Sequence, residues 1–134
     1  MSKPSKANEH AIHQASVQRL AEIKASTPVL AITATQHDRL RRMLTKCEYR
    51  TVVNLALNPG IQTSDLGRIS SAANTSHFLA EARPTLESVG LMAECTRLNL
   101  FNAAGQMTKR GFWTLNVVDP AKWRKADQED RAAA

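Results

Sequence analysis

Residues 45–60, TKCEYRTVVNLALNPG, restrict what this chain can fold into more than any other stretch. Thr45 and Glu48 stand three apart, the capping-box spacing in which each side chain takes up a free backbone amide at the start of a helix. Tyr49, Val52, Val53, Ala56 and Leu57 follow at i, i+3, i+4, i+7 and i+8, one continuous apolar stripe. Asn58-Pro59-Gly60 ends the run, because proline disfavours a helical residue before it and glycine supplies a turn. A short helix marked at both ends is marginal alone in water, so its stripe needs neighbours.

Residues 61–90 supply them, as two helices joined by a tight polar connection. Thr63 or Ser64 is expected to cap the first, over 63–70, with Asp65 near its positive end and Leu66 and Ile69 turned to the core. Residues 70–74 form the turn. Asn74, Thr75 or Ser76 opens the second, over 74–89, whose inward residues are Phe78 or Leu79, Ala82, Leu86 and Val89, and Gly90 ends it. Pro84 lies inside this helix, where it removes a hydrogen bond and is expected to kink or divide it.

Upstream, residues 1–9 read as a basic tail and 8–25 as a helical arm with a loose stripe of Ile12, Leu20 and Ile23. Ser26, Thr27 and Pro28 break the arm, and the apolar run 29–32 is too short to assign by period. Thr35, with Asp38 three residues on, is expected to cap a basic helix in which Leu40, Met43 and Leu44 share a face. Downstream the period changes. Residues 91–101 and 112–118 are strand-like, the second alternating Trp113, Leu115 and Val117 with Phe112, Thr114 and Asn116. Residues 102–111 read as the loop of a hairpin with Lys109 and Arg110 at its tip. Asp119-Pro120 stops the second strand, and 119–134 closes the chain as a charged helical tail on which Trp123 is the one large apolar residue.

Composition narrows the partners. The 134 residues fit one domain with short arms, and with 4% aromatic residues the core must be built from Ala, Leu, Val and Ile. Lys and Arg outnumber Asp and Glu by 18 to 12, a net +6, which favours a polyanion through counterion release. The charge is uneven: residues 61–90 carry Arg68 and Arg83 against Asp65, Glu81 and Glu87, whereas 36–60 carry Arg39, Arg41, Arg42, Lys46 and Arg50 against Asp38 and Glu48. No apolar run approaches the roughly 18 residues needed to cross a bilayer, so no membrane partner is expected. The polar start MSKPSKANEH lacks a leader's apolar region, and Cys47 and Cys95 read as reduced core fillers in a cytoplasmic protein.

The order helix, helix, helix, hairpin and the residues 44–92 resemble the winged helix-turn-helix superfamily, nearest to the multiple-antibiotic-resistance type of bacterial regulator. The likeness rests on the NPGIQTSDL junction, on the exit Leu86-Glu87-Ser88-Val89-Gly90-Leu91 and on the hairpin. Gly67, where the family usually has Ala, the connection SSAANT and Pro84 depart from the pattern. The resemblance implies a mainly α fold with a small β-hairpin: an arm over 1–35, a winged domain over 36–118 with the wing at 92–118, and the tail 119–134. It also implies a double-stranded DNA partner and a homodimer formed by helices outside the winged core, here 8–25 and 120–131, with a small bacterial, phage or plasmid transcriptional regulator as the function.

Physical chemistry names the same partner. A helix fits the major groove and offers its N-terminal side chains to base edges, here Asn74, Thr75, Ser76 and His77. Thr63, Ser64 and Arg68 on the preceding helix suit phosphate, as do Arg39, Arg41, Arg42, Lys46 and Arg50, while Lys109 and Arg110 would enter the minor groove or hold its backbone. The acidic balance of 61–90 leaves two other readings, a protein-interaction adaptor or a non-specific nucleic-acid binder. Enzymatic chemistry has little support. His10 and His13 stand at i, i+3 without a third metal ligand, His37 and His77 lack a carboxylate partner, and Cys47 lacks a base. No catalytic residue, metal or cofactor is expected.

Overall fold

The computed structural model describes residues 5–128. Their order is α1 (Lys6–Ser26), α2 (Ala34–Met43), α3 (Lys46–Leu57), β1 (Ile61–Gln62), α4 (Thr63–Ser70), α5 (Thr75–Ser88), β2 (Leu91–Phe101), β3 (Met107–Val117) and α6 (Pro120–Lys125). The basic tail is shorter than expected, because Ser5 caps α1 by accepting from the Asn8 amide at 3.2 Å. Residues 1–4 of that tail, and 129–134 of the C-terminal one, lie outside the described residues.

The helices start where side chains can satisfy their free amides. Thr45 and Glu48 form the capping box of α3. Thr33, not Thr35, caps α2, because the longer Gln36 side chain accepts from the Thr33 amide at 2.9 Å while Thr33 Oγ1 accepts from the Gln36 amide. That start also turns Gln36 inward, where its Nε2 donates to the carbonyl of Trp123 at 2.9 Å. Neither Thr63 nor Ser64 caps α4: the N-cap is Gln62, with no side-chain bond to the first turn. The Thr63 hydroxyl is engaged elsewhere, donating to the Gly111 carbonyl and accepting from Trp113 Nε1.

Within α3 the buried face is rotated from the expected stripe. Thr51, Val52, Leu55 and Ala56 are buried, whereas Leu57 is 55% exposed. Thr51 can face inward because its hydroxyl donates to the Cys47 carbonyl at 2.7 Å inside the helix. Ile69, expected in the core, is 41% exposed, and Leu66 anchors α4 alone at 0%. Helix α5 runs unbroken through Pro84. The bond that proline removes would have ended on the carbonyl of Ala80, an exposed residue whose oxygen water can reach.

The three strands form one antiparallel sheet in the order β1-β3-β2. Strands β2 and β3 pair from Leu91↔Val117 to Phe101↔Met107, and β1 adds Ile61↔Trp113 and Gln62↔Phe112. The turn is residues 102–106, with Asn102 Oδ1 accepting from the amides of Ala104 and Gln106. The hairpin is thus longer than expected, and Lys109 and Arg110 lie in β3 rather than at its tip.

One cluster joins Leu40 of α2, Val52 and Leu55 of α3, Leu66 of α4, Leu79 and Leu86 of α5, Leu91 and Leu115 of the sheet, and Trp123 and Ala126 at the end of the described chain. The expected tail is therefore a wall of the core, tied also by a Thr33 hydroxyl bond to Asp127. A second cluster, Leu98, Leu100 and Phe112 with Leu20 of α1, lies further along the hairpin. The described residues of both segments expected to serve as dimer arms contribute to packing within their own chain, through Leu20 and through Trp123 and Ala126. No described helix is long and apolar enough to cross a membrane.

Candidate nucleic-acid interface

One face of α4, the turn after it and the start of α5 line an open hollow of about 690 Å³. Six sequence candidates line it: Thr63, Ser64 and Arg68 from α4, and Asn74, Thr75 and Ser76 from α5. The helices approach closely because Gly67 has no side chain: a Cβ there would stand 2.7 Å from Thr75 Oγ1 and 2.9 Å from the Ala72 carbonyl. Ser71, in the left-handed region at φ 53°, turns the chain between them.

The candidates are not equivalent. Ser64, Arg68 and Ser76 are exposed, as is His77 one residue beyond the hollow's lining. Arg68 Nη2 lies 3.5 Å from Asp65, an exposed pair that competes weakly with another anion. Asn74 holds the α5 start, accepting from the His77 amide through Oδ1 at 3.4 Å and leaving its amide group free. Thr75 is 5% exposed and faces Gly67, so it supports the hollow rather than meeting a base. Thr63 likewise spends both hydroxyl roles on β3. No side chain caps the first turn of α4, whose Thr63 and Ser64 line the hollow.

Strand alternation separates the expected basic pair. Trp113 and Leu115 share the sheet face that meets the helical core, and in this register Lys109, Asn99 and Arg97 lie on that same face. Arg110 lies on the opposite face with Leu98 and Phe112, toward α1. It is half-buried, donating to the Phe101 carbonyl at 2.7 Å and to Thr108 Oγ1 at 3.1 Å, with Gln62 Oε1 at 3.5 Å. Arg97 and Lys109 are exposed diagonal neighbours, and the residue that sequence reading missed is Arg97. The alternation in TRLNLF, carried back from the second strand, was the available signal.

The upstream cations are mostly engaged within their own region. Arg41 bonds Asp38 at 2.9 Å and lies over the Tyr49 ring, Arg42 Nε reaches the Asp38 carbonyl, and Arg39 donates to the Gln128 carbonyl. Lys46 is exposed at the α3 start. Of these five, Arg50 alone reaches the helix pair, donating to the Ser70 carbonyl at 3.1 Å beside the turn.

Other candidate chemistry is placed as follows. Cys95 is exposed rather than a core filler, and Cys47 is half-buried. Although Cys95 is exposed as a residue, local burial pushes its thiol above the ordinary value; Arg97 and the Phe112 backbone pull the other way. The shielding fits a close approach at Gly111, where a Cβ would lie 2.8 Å from the sulfur. His37 Nδ1 meets the Tyr49 hydroxyl at 2.6 Å. His10 and His13, the pair without a third metal ligand, both pack on the Phe101 ring. Among the described residues no group of three or more His, Cys, Asp or Glu is placed to hold a metal ion. A cleft of about 400 Å³ between α5 and β2 is walled by Ala80, Met92, Ala93 and Trp113, and the Arg83 at its rim is taken by Glu87 at 3.0 Å. Comparison of the chain with protein-family models, with curated proteins and with solved structures finds no match.

Proposed function

We propose that the protein is a winged helix-turn-helix binder of double-stranded DNA, a small bacterial, phage or plasmid transcriptional regulator without enzymatic activity. The observation that carries this reading is the hollow between α4 and α5, which gathers an uncapped helix start, Ser64, Arg68, Asn74 and Ser76 in one open polar surface. The order α3, β1, α4, α5, β2, β3 supports it, with α5 following α4 through a tight turn and the hairpin following α5. In this reading Ser76, His77 and the Asn74 amide meet base edges, the α4 start and Arg68 meet phosphate, and Arg97 and Lys109 hold the backbone beside them. Arg110 braces the hairpin instead of touching DNA.

Titration of labelled duplexes at two salt concentrations tests the reading. Arg97→Ala with Lys109→Ala should weaken every sequence alike and lower the salt slope by roughly 2, while Arg110→Ala should leave that slope unchanged. Ser76→Ala should relax sequence preference by about 1–3 kcal/mol. Failure of the wild-type chain to bind any duplex in a salt-dependent way would sink the reading, and binding without preference would reduce it to a non-specific binder.

The acidic balance of residues 61–90 favours one other reading, a winged adaptor for a basic protein surface. A two-fold dimer fits the DNA reading because it would set two reading helices about one duplex turn apart. Helix α1 packs on the hairpin through Leu20 and leaves Ile12 and Val17 exposed, and light scattering with and without duplex measures such a dimer.

A further inference from the structure

The first turns of α1 meet the end of the hairpin through one polar contact whose direction is fixed. The Phe101 amide donates to Nδ1 of His13 at 3.1 Å. A backbone N–H can only donate, so His13 must accept through Nδ1 and carry its proton on Nε2. The rings of His13 and His10 lie 4.9 Å and 5.2 Å from that of Phe101, adding apolar contact but no second acceptor for the amide. Lys6, Glu9 and His10 line the shallow cavity beside this contact, and from the sheet Arg110 places its guanidinium on the Phe101 carbonyl.

We propose that His13 is an acid-released latch between α1 and the hairpin. Imidazole is the side chain that gains its charge between about pH 8 and pH 5. Protonation puts a hydrogen on Nδ1, so two donors then face each other and the bond is lost. Arg110 on the Phe101 carbonyl and Glu9 beside the Phe101 ring bring opposite charges to this end of the hairpin. A cation over the Phe101 ring offsets part of this loss but leaves the amide without a partner. Docking is therefore held at neutral pH and weakened once Nδ1 carries a hydrogen. Release uncovers Phe101, while Leu20 still holds the later turns of α1 on Leu98, Leu100 and Phe112.

Amide hydrogen exchange on the full chain, corrected for intrinsic rates, tests the latch at about pH 7.5 and about pH 5. In the wild-type chain Phe101 protection should fall by about tenfold at the lower pH while that of Leu55 in the main core holds. His13→Asn keeps an acceptor near the Nδ1 position and does not titrate, so it should remove the pH dependence; His10→Asn should keep it. Flat Phe101 protection in the wild-type chain, an equal fall in His13→Asn, or a parallel fall at Leu55 would each overturn the proposal. DNA binding does not enter the measurement, so its outcome is independent of the functional reading.

Discussion

The hairpin meets different neighbours along its length. Near its base, Leu91 at 0% and Leu115 at 4% exposure enter a core fed by α2, α3, α4, α5 and the segment around Trp123. Further out, Leu98 at 8% and Leu100 at 7% are covered on the opposite sheet face by α1 alone. The base is held from several directions and has little freedom to relax. The outer half depends on one helix, so its contacts can open while the rest stays folded. The candidate interface spans both halves, with α4 and α5 on the rigid one and Arg97 and Lys109 on the looser one.

Substitutions on either side of that division should separate them. Leu55→Ala leaves a cavity at a position of 0% exposure and should cost about 2–5 kcal/mol in urea unfolding, lowering the protection of all slow amides together. Leu98→Ala should cost less, about 2 kcal/mol, with increased exchange confined to the outer hairpin and α1. Equal and global effects would abolish the distinction. Thr63 stands where the halves meet, bonded to both Gly111 and Trp113, so Thr63→Val should cost about 1 kcal/mol and loosen the hairpin against α4 without changing the core. The smallest effect is at Cys95. Its raised thiol value means that the folded chain holds this proton more tightly, so the associated stability is lost as pH rises above the ordinary value. Alkylation of Cys95 at mildly alkaline pH should be slower in the folded chain than in urea, with the gap narrowing as pH rises.

Elements marked by local chemistry were legible in the sequence. The Thr45/Glu48 box and the Asn58-Pro59-Gly60 stop act within a few residues and lie where the spacing put them, while the cap at Asn74 is one of the three starts the spacing allowed. What a helical period cannot specify is which edge of a stripe faces inward: Tyr49, Val52, Val53, Ala56, Leu57 and Thr51, Val52, Leu55, Ala56 both fit one turn in 3.6. Packing chose the second, and the internal bond of Thr51 permitted it. Thr33 and Thr35 each have a polar residue three positions on, and the reach of Gln36 together with its distant partner at Trp123 decided between them. Residues 107–111 of β3 escaped notice because their polar run resembles a loop, and with them went the opposed directions of Lys109 and Arg110. Most of the hollow was legible, since a reading of two successive helix starts already puts their polar residues together; the burial of Thr75 depended on Gly67 and was not.

The bond from Gln36 to the Trp123 carbonyl and the burial of Trp123 also bear on how the chain acquires its shape during synthesis. Residues are made in order, so α2 and α3 leave the ribosome long before the side chain that closes over them, and α1 waits for Leu98, Leu100 and Phe112. A nascent chain halted before residue 123 carries all of α4 and α5 but lacks one wall of its core. Completion of the fold is timed to the passage of the segment that the sequence presents as a tail.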